Sequence, residues 1–211
     1  MTELAGVDRA IAEIADGRPV VVSGGDGDLV FAAEHASPEL VAFTVRHTSG
    51  FVCVALSGED CDRLELPPMY PRVRPRGEEF TVAVDARDTG TGISATDRAN
   101  TIRLLADPHA RPPDFTRPGH IAPIRAADGG VLERAGRAEA ALDLVRLAGL
   151  SPAAALSGIV SRRSVVDMAG PGELADFAAE HRLAMVTTAE LVARRRQTTD
   201  RPLCHHCGAA I

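Results

Sequence analysis

Two aspartates share a glycine-rich stretch, Ser23-Gly24-Gly25-Asp26-Gly27-Asp28. A pair of carboxyl groups can divide acid and base work between them. Asp-Gly pairs are also ordinary turn chemistry. Both readings stand for Asp26, and the chemical one is preferred for Asp28. His120 follows Arg117-Pro118-Gly119. An imidazole after a rigid turn can point into a cleft and titrate near neutral pH; the alternative is a histidine bonded to backbone. Arg134 and Arg137 place two guanidinium groups three residues apart. Each carries five donors and a permanent charge, suited to an oxyanion or a carboxylate. The alternative for Arg137 is a surface arginine at a helix start. Cys53, inside an apolar run, reads as an inert buried thiol, and His47 as a helix-end contact. Cys204 and Cys207 form one C-x-x-C pair. Zinc sites of that kind usually need four ligands, so the pair is half a site, with a plain terminal tail as the alternative.

These residues need a scaffold, and the pattern of the chain predicts one. Leu4, Val7, Ile11 and Ile14 follow helical spacing, with Gly17 as C-cap. Strands are expected at Pro19 to Val22, Leu29 to Ala33, Phe51 to Leu56, Phe80 to Val84, Ile159-Val160 and Ala184 to Thr187. Ser37-Pro38-Glu39 and Ser94 are helix starts, the second helix running to Ala106. Further helices are expected from Ala138 to Leu147, from Gly170-Pro171-Gly172 to His181, and from Ala189 to Arg196. Pro67 to Gly77 and Asp107 to Pro118 read as loops. The fold class is α/β (α+β): one compact domain over residues 1–197, a mixed sheet flanked by helices, and a tail over 198–211 with the single CxxC.

Composition narrows the function classes. The chain has 211 residues, of which 45% are apolar and 3% aromatic, with no Trp. Aliphatic side chains must therefore fill the core. Few rings and a net charge of −6 argue against nucleic acid as a partner, because binding there needs stacking surfaces or phosphate neutralisation. No apolar run approaches the roughly 20 residues that span a bilayer. The start, Met1-Thr2-Glu3-Leu4, lacks a signal pattern. A cytoplasmic protein without a disulfide framework is expected.

Three phrases, in order, carry a resemblance: Thr91-Gly92-Ile93-Ser94-Ala95-Thr96-Asp97-Arg98, then Arg117-Pro118-Gly119-His120, then Gly129 through Ala140. Together with Gly27 to Glu34, Gly50 to Leu56 and Phe80 to Ala86, they resemble the 3,4-dihydroxy-2-butanone 4-phosphate synthase family over residues 4–196. The resemblance implies a single α/β domain that forms a homodimer, with sites completed across the interface. It implies a lyase that takes ribulose 5-phosphate, enolises it, loses water, rearranges the skeleton and expels formate. In that family Mg²⁺ polarises the oxygens.

By the same resemblance, His120, Arg134, Thr91, Arg98 and Glu139 are expected on the substrate side. Asp28, Asp26, Arg137 and His120 are expected to do the chemistry. The family's R-x-G-H-T-E-A carries Arg137 in place of its metal-binding His. Its R-E-N-E-G-D loop is shortened to Gly24 through Asp28, and its C-E-I reads Ser157-Gly158-Ile159. From these changes the sequence predicts no metal cofactor at the family site, and zinc only at Cys204 and Cys207. It also predicts a more positive pocket that favours a small anion. The expected function is a diverged family enzyme acting on a small anionic keto-sugar phosphate, polyol or carboxylate. The alternatives are the authentic synthase and a non-catalytic anion-binding protein.

Overall fold

The computed structural model describes residues 2–70 and 77–199. Its strands are β1 (Val20–Ser23), β2 (Gly27–Ala32), β3 (Cys53–Leu56), β4 (Glu79–Phe80), β5 (Val84–Ala86), β6 (Phe115–Arg125), β7 (Ala153–Gly158) and β8 (Met185–Thr187). They form a mixed sheet in the order β4-β6-β3-β7-β2-β1-β8, with β5 pairing to β6 off that path. The β1–β8 and β3–β6 pairs are parallel, and the others are antiparallel.

Every residue of β2, β3 and β7 is buried, so both faces of the sheet are covered. Side chains alternate between those faces. Val30, Ala32, Cys53, Ala55, Ala154 and Leu156 share one core, which α1 (Thr2–Ala15), α5 (Arg137–Leu147) and α7 (Thr188–Thr199) complete. Phe31, Val54, Leu56 and Ala155 face the other side, beneath α2 (Pro38–His47), α3 (Gly58–Arg63) and α4 (Ala95–Ala106). A smaller cluster seats α6 (Pro171–Glu180) on Val21 and Leu29.

Local chemistry sets the helix ends. The Ser37 and Ser94 hydroxyls accept from the backbone N–H groups of Leu40 and Asp97, capping α2 and α4. Gly17 and Gly149 follow α1 and α5 at φ of 75° and 76°, the left-handed region that glycine adopts freely.

Three expectations are corrected. Asp107 to Pro118 is not all loop: β6 begins at Phe115 and is the longest strand described. Phe80 to Val84 is not one strand, because the chain breaks between β4 and β5. The strand expected at Ile159-Val160 ends at Gly158, and Val160 makes only an isolated bridge to Met168. Helix α3 was not anticipated. The tail with Cys204 and Cys207 lies outside the described residues.

Candidate active site

Strand alternation puts Asp28 on the same face as Val30, beneath the first turn of α5. Asp28 is 1% exposed. Arg137, the first residue of α5, donates from Nη1 to Asp28 Oδ1 at 2.9 Å. It also donates from Nε and Nη2 to the two Glu78 carboxylate oxygens, at 2.5 and 3.1 Å. The guanidinium therefore bridges two carboxylates. Burial pushes the Asp28 carboxyl up to about 6, against the charge and hydrogen bond of Arg137. Burial opposes the Arg137 charge too, but its bond to Glu78 and the charges of Asp28 and Glu78 hold it above the usual value. Burial lifts the Cys53 thiol to about 12 even with Arg137 nearby, which keeps it un-ionised at neutral pH.

Arg137 and Glu78 border a cleft of ≈ 610 Å³, lined also by Asp26, Ser49, Phe51 and Met168, with Asp28 buried behind Arg137. Two carboxylates hold the one guanidinium here, and a third, Asp26, lines the same cleft. The expected excess of positive charge is not what the side chains provide, because Glu78 was not counted in the sequence and two acids already hold Arg137. Gly158 pairs with Asp28 across the β2–β7 ladder. A Cβ at Gly158 would stand 2.6 Å from the Met168 methyl and 4.0 Å from Asp28 Oδ1. Met168 thus fills the space that a side chain at 158 would enter. Ser157 points to the other face, where its hydroxyl meets Thr48 Oγ1 at 2.8 Å and donates to the Phe51 carbonyl at 3.0 Å.

Arg134 and Glu139 form a tether rather than an open anion site. Arg134 Nε donates to Glu139 Oε1 at 2.9 Å, and Nη2 donates to the same oxygen. Its remaining donors reach the backbone carbonyls of Gly77 and Arg125. Glu139 is 1% exposed and also accepts from the Ala127 N–H. The tether anchors Gly77, and so positions Glu78 next to it.

His120, Thr91 and Arg98 gather at a second place. They do not line the cleft. His120 Nδ1 lies 2.7 Å from Asp85 Oδ2, and its backbone N–H donates to Asp85 Oδ1 at 2.9 Å. Asp97 accepts from the N–H groups of Gly90 and Gly92, folding the loop that carries the exposed Thr91. Arg98 is buried and donates to the Gly50 carbonyl at 3.3 Å. Its neighbour in sequence, Phe51, lines the cleft. The sequence reading missed Glu78 and Asp85. Asp85 sits inside a recognised phrase, but nothing in Glu78-Glu79 distinguishes one acid from a solvated run.

The family profile for 3,4-dihydroxy-2-butanone 4-phosphate synthase matches residues 8–194. The riboflavin biosynthesis protein RibBA of Mycobacterium avium (strain 104) is 55% identical over 204 residues, covering 93% of this chain and 48% of its own length. RibBA of Rhodococcus jostii (strain RHA1) is 54% identical over 204 residues, 93% of this chain and 49% of its own. The chain thus spans about half the length of these relatives. A crystal structure of a 3,4-dihydroxy-2-butanone 4-phosphate synthase in complex with two magnesium ions superposes with a TM-score of 0.85 at 38% identity, covering 92% of this chain and 97% of that one. A two-domain synthase, RibBX from A. baumannii, gives 0.88 at 38% identity, with 92% and 59% covered.

The magnesium complex overturns the expectation that no cofactor belongs to this site. Asp26, Asp28 and Glu78 are hard oxygen donors, the kind magnesium takes. With Arg137 between two of them, no group of three or more His, Cys, Asp or Glu side chains among the described residues is arranged to hold an ion. The donor type fits such an ion. No helix among the described residues is long and apolar enough to cross a membrane.

Proposed function

The chain belongs to the 3,4-dihydroxy-2-butanone 4-phosphate synthase family, and from that premise we propose that it is a lyase converting ribulose 5-phosphate to dihydroxybutanone phosphate and formate. The observation that carries this reading is 55% identity, over 93% of the chain, to proteins named for riboflavin biosynthesis. Enolisation of a keto-sugar needs a base beside the C–H bond and positive charge beside the oxygen. Asp28 is the base: burial lifts its carboxyl toward neutral pH, and Arg137 keeps it ionised above about 6. Arg137 also offers fixed positive charge to the developing oxyanion. Asp26, exposed at the mouth of the cleft, exchanges protons with water.

The proposal includes a homodimer in a cytoplasmic setting. His120 and Thr91 stand outside the cleft of their own chain, and a second copy would bring them to it, while Arg98 stays buried against Gly50 of its own chain. A symmetric dimer does this twice.

A second reading rests on Arg137 and Gly158. Arg137 closes Asp28 and Glu78 around a guanidinium, and Met168 fills the room beside Gly158. Both reshape the cleft relative to what the family phrases imply. In this reading the same enolisation serves a different small anion, a keto-sugar phosphate, polyol or carboxylate, in specialised metabolism.

The deciding experiment follows formate release from ribulose 5-phosphate with Mg²⁺ present, beside deuterium uptake at the α-carbon of a panel of keto-sugar phosphates and keto acids. Formate release that Asp28→Asn abolishes supports the first reading. Deuterium uptake without formate supports the second. Neither signal, with the chain folded, overturns both and leaves a binding protein.

A further inference from the structure

We propose that Met168 is a specificity-determining residue. It caps the Asp28 end of the cleft and limits the length of the keto-sugar phosphate that reaches the base, and Glu173 is the positioning residue that holds it there. This rests on the reading that Asp28 enolises such a substrate. No sequence expectation assigned either residue a role.

The closure is local. The point where a Cβ on Gly158 would stand lies 2.6 Å from the Met168 methyl and 4.0 Å from Asp28 Oδ1. Contacts between carbons run at about 3.5–4.0 Å. The methyl and the carboxylate therefore leave room between them for one reacting carbon at most. A longer chain must press its extra carbon against the methyl. Met168 lines the cleft and is 37% exposed, so the cap faces the space a substrate takes rather than the core.

A methionine by itself is adaptable, but here the backbone that carries it is fixed. Residues 160–168 form a closed hairpin loop. The Val160–Met168 bridge, Ser161 N–H to the Asp167 carbonyl at 3.0 Å and Ala169 N–H to the Ile159 carbonyl at 2.9 Å close it. Glu173, in the first turn of α6, latches this loop. Its carboxylate accepts from the Ser161 hydroxyl at 3.0 and 2.9 Å, from the Arg162 N–H at 3.0 Å and from the Arg163 N–H at 3.2 Å. Desolvation opposes the Glu173 charge, and the bonds from Ser161 and the N–H groups of Arg162, Arg163 and Gly170 outweigh it, holding the carboxyl below its usual range. Further along α6, Asp176 pairs with Arg163 and Glu180 with Arg162. Those pairs are exposed, and exposed pairs contribute little. The latch is therefore Glu173. Val165 and Val166, at the apex, are exposed and provide a control.

The test uses the full chain with Mg²⁺ present. One arm follows deuterium uptake at the α-carbon of ribulose 5-phosphate and of fructose 6-phosphate. The other measures calorimetric binding of ribitol 5-phosphate and sorbitol 6-phosphate, which cannot enolise. The parent should favour the five-carbon compound in both arms. Met168→Ala should lower that preference by roughly 10-fold or more, the worth of one methylene against a fitted apolar wall. Met168→Leu, close in volume, should keep it, and so should Val166→Ser. Glu173→Ala, shown to be folded by circular dichroism, should shift the preference as Met168→Ala does. The double variant should shift it no further, because Glu173 acts through Met168. Where Glu173→Ala does not fold, Glu173→Gln takes its place with a smaller shift, since the amide keeps one accepting oxygen. No preference in the parent, a preference unchanged by Met168→Ala, or an equal shift in Val166→Ser overturns the cap. A folded Glu173 variant with no shift overturns the latch. If the parent exchanges no deuterium while its binding preference falls in Met168→Ala, the assigned reaction fails and the cap stands. Neither exchange nor binding overturns both.

Discussion

At the scale of single residues, the cleft is governed by who neutralises whom. Asp28 is buried with one cation beside it, and its carboxyl moves from the ordinary 3.8 to about 6. The folded chain therefore binds more protons than the unfolded chain between those values. The contribution of Asp28 to stability is complete below 3.8 and is lost as pH rises through about 6. Urea midpoints across that window should fall with rising pH in the parent more steeply than in Asp28→Asn. The rate should show the opposite dependence, rising through about 6 as the base ionises. Arg137→Ala removes the cation and leaves Asp28 and Glu78 facing each other. Breaking a buried pair costs about 3–5 kcal/mol, and the 30% exposure of the Arg137 side chain reduces this to about 2 kcal/mol or somewhat more. Denaturant unfolding measures that loss, which Asp28→Asn in the same chain should partly reverse. Asp28 and Arg137 were legible in the sequence as candidate residues. Glu78 was not, because only the fold brings residue 78 to residue 137. Nor was the charge balance of the cleft, which depends on that contact.

At the scale of elements, caps were legible and strands with unusual composition were not. Ser94 was expected to start a helix ending at Ala106, and α4 has those bounds. Ser94→Ala should cost about 1 kcal/mol in thermal or urea unfolding, since it strands the Asp97 N–H. Strand β7 was placed too late because Ala153, Ala154 and Ala155 carry weak strand preference; burial on both faces, with room only for small side chains, overrides that preference. Strand β6 was not expected at all, because the Pro-rich run up to Pro118 reads as loop and a proline argues against a ladder. There the sheet is irregular, and Gly119 is what permits the close β5–β6 contact. Gly119→Ala should destabilise by about 1–3 kcal/mol, the usual cost of overpacking. Its Cβ would strike backbone rather than a yielding side chain, so the upper end is expected. It should also cost more activity than Ser94→Ala, because it pushes Asp85 away from His120.

At the scale of the whole molecule, the residues expected to act together fall in two places on one chain. A dimer whose sites are shared makes a sharp prediction. Asp28→Asn and His120→Gln should each be inactive alone. Mixed after reversible dissociation, they should regain part of the parent rate, because a hybrid dimer holds one site with both residues intact. Absence of recovery in a mixture shown to contain hybrids would place all the chemistry in one chain. The sheet order carries a different consequence, for the chain as it is being made. Strands β2 and β3 are not neighbours; β7 lies between them and pairs with both. Until residues 153–158 leave the ribosome, the two earlier strands have a gap where their shared partner belongs. The nascent chain must therefore carry open strand edges for most of its synthesis, a state prone to wrong pairing. A fragment ending before Ala153 should not fold to half a domain. It should remain unfolded or aggregate, and the native sheet closes from its middle only when the late strand arrives.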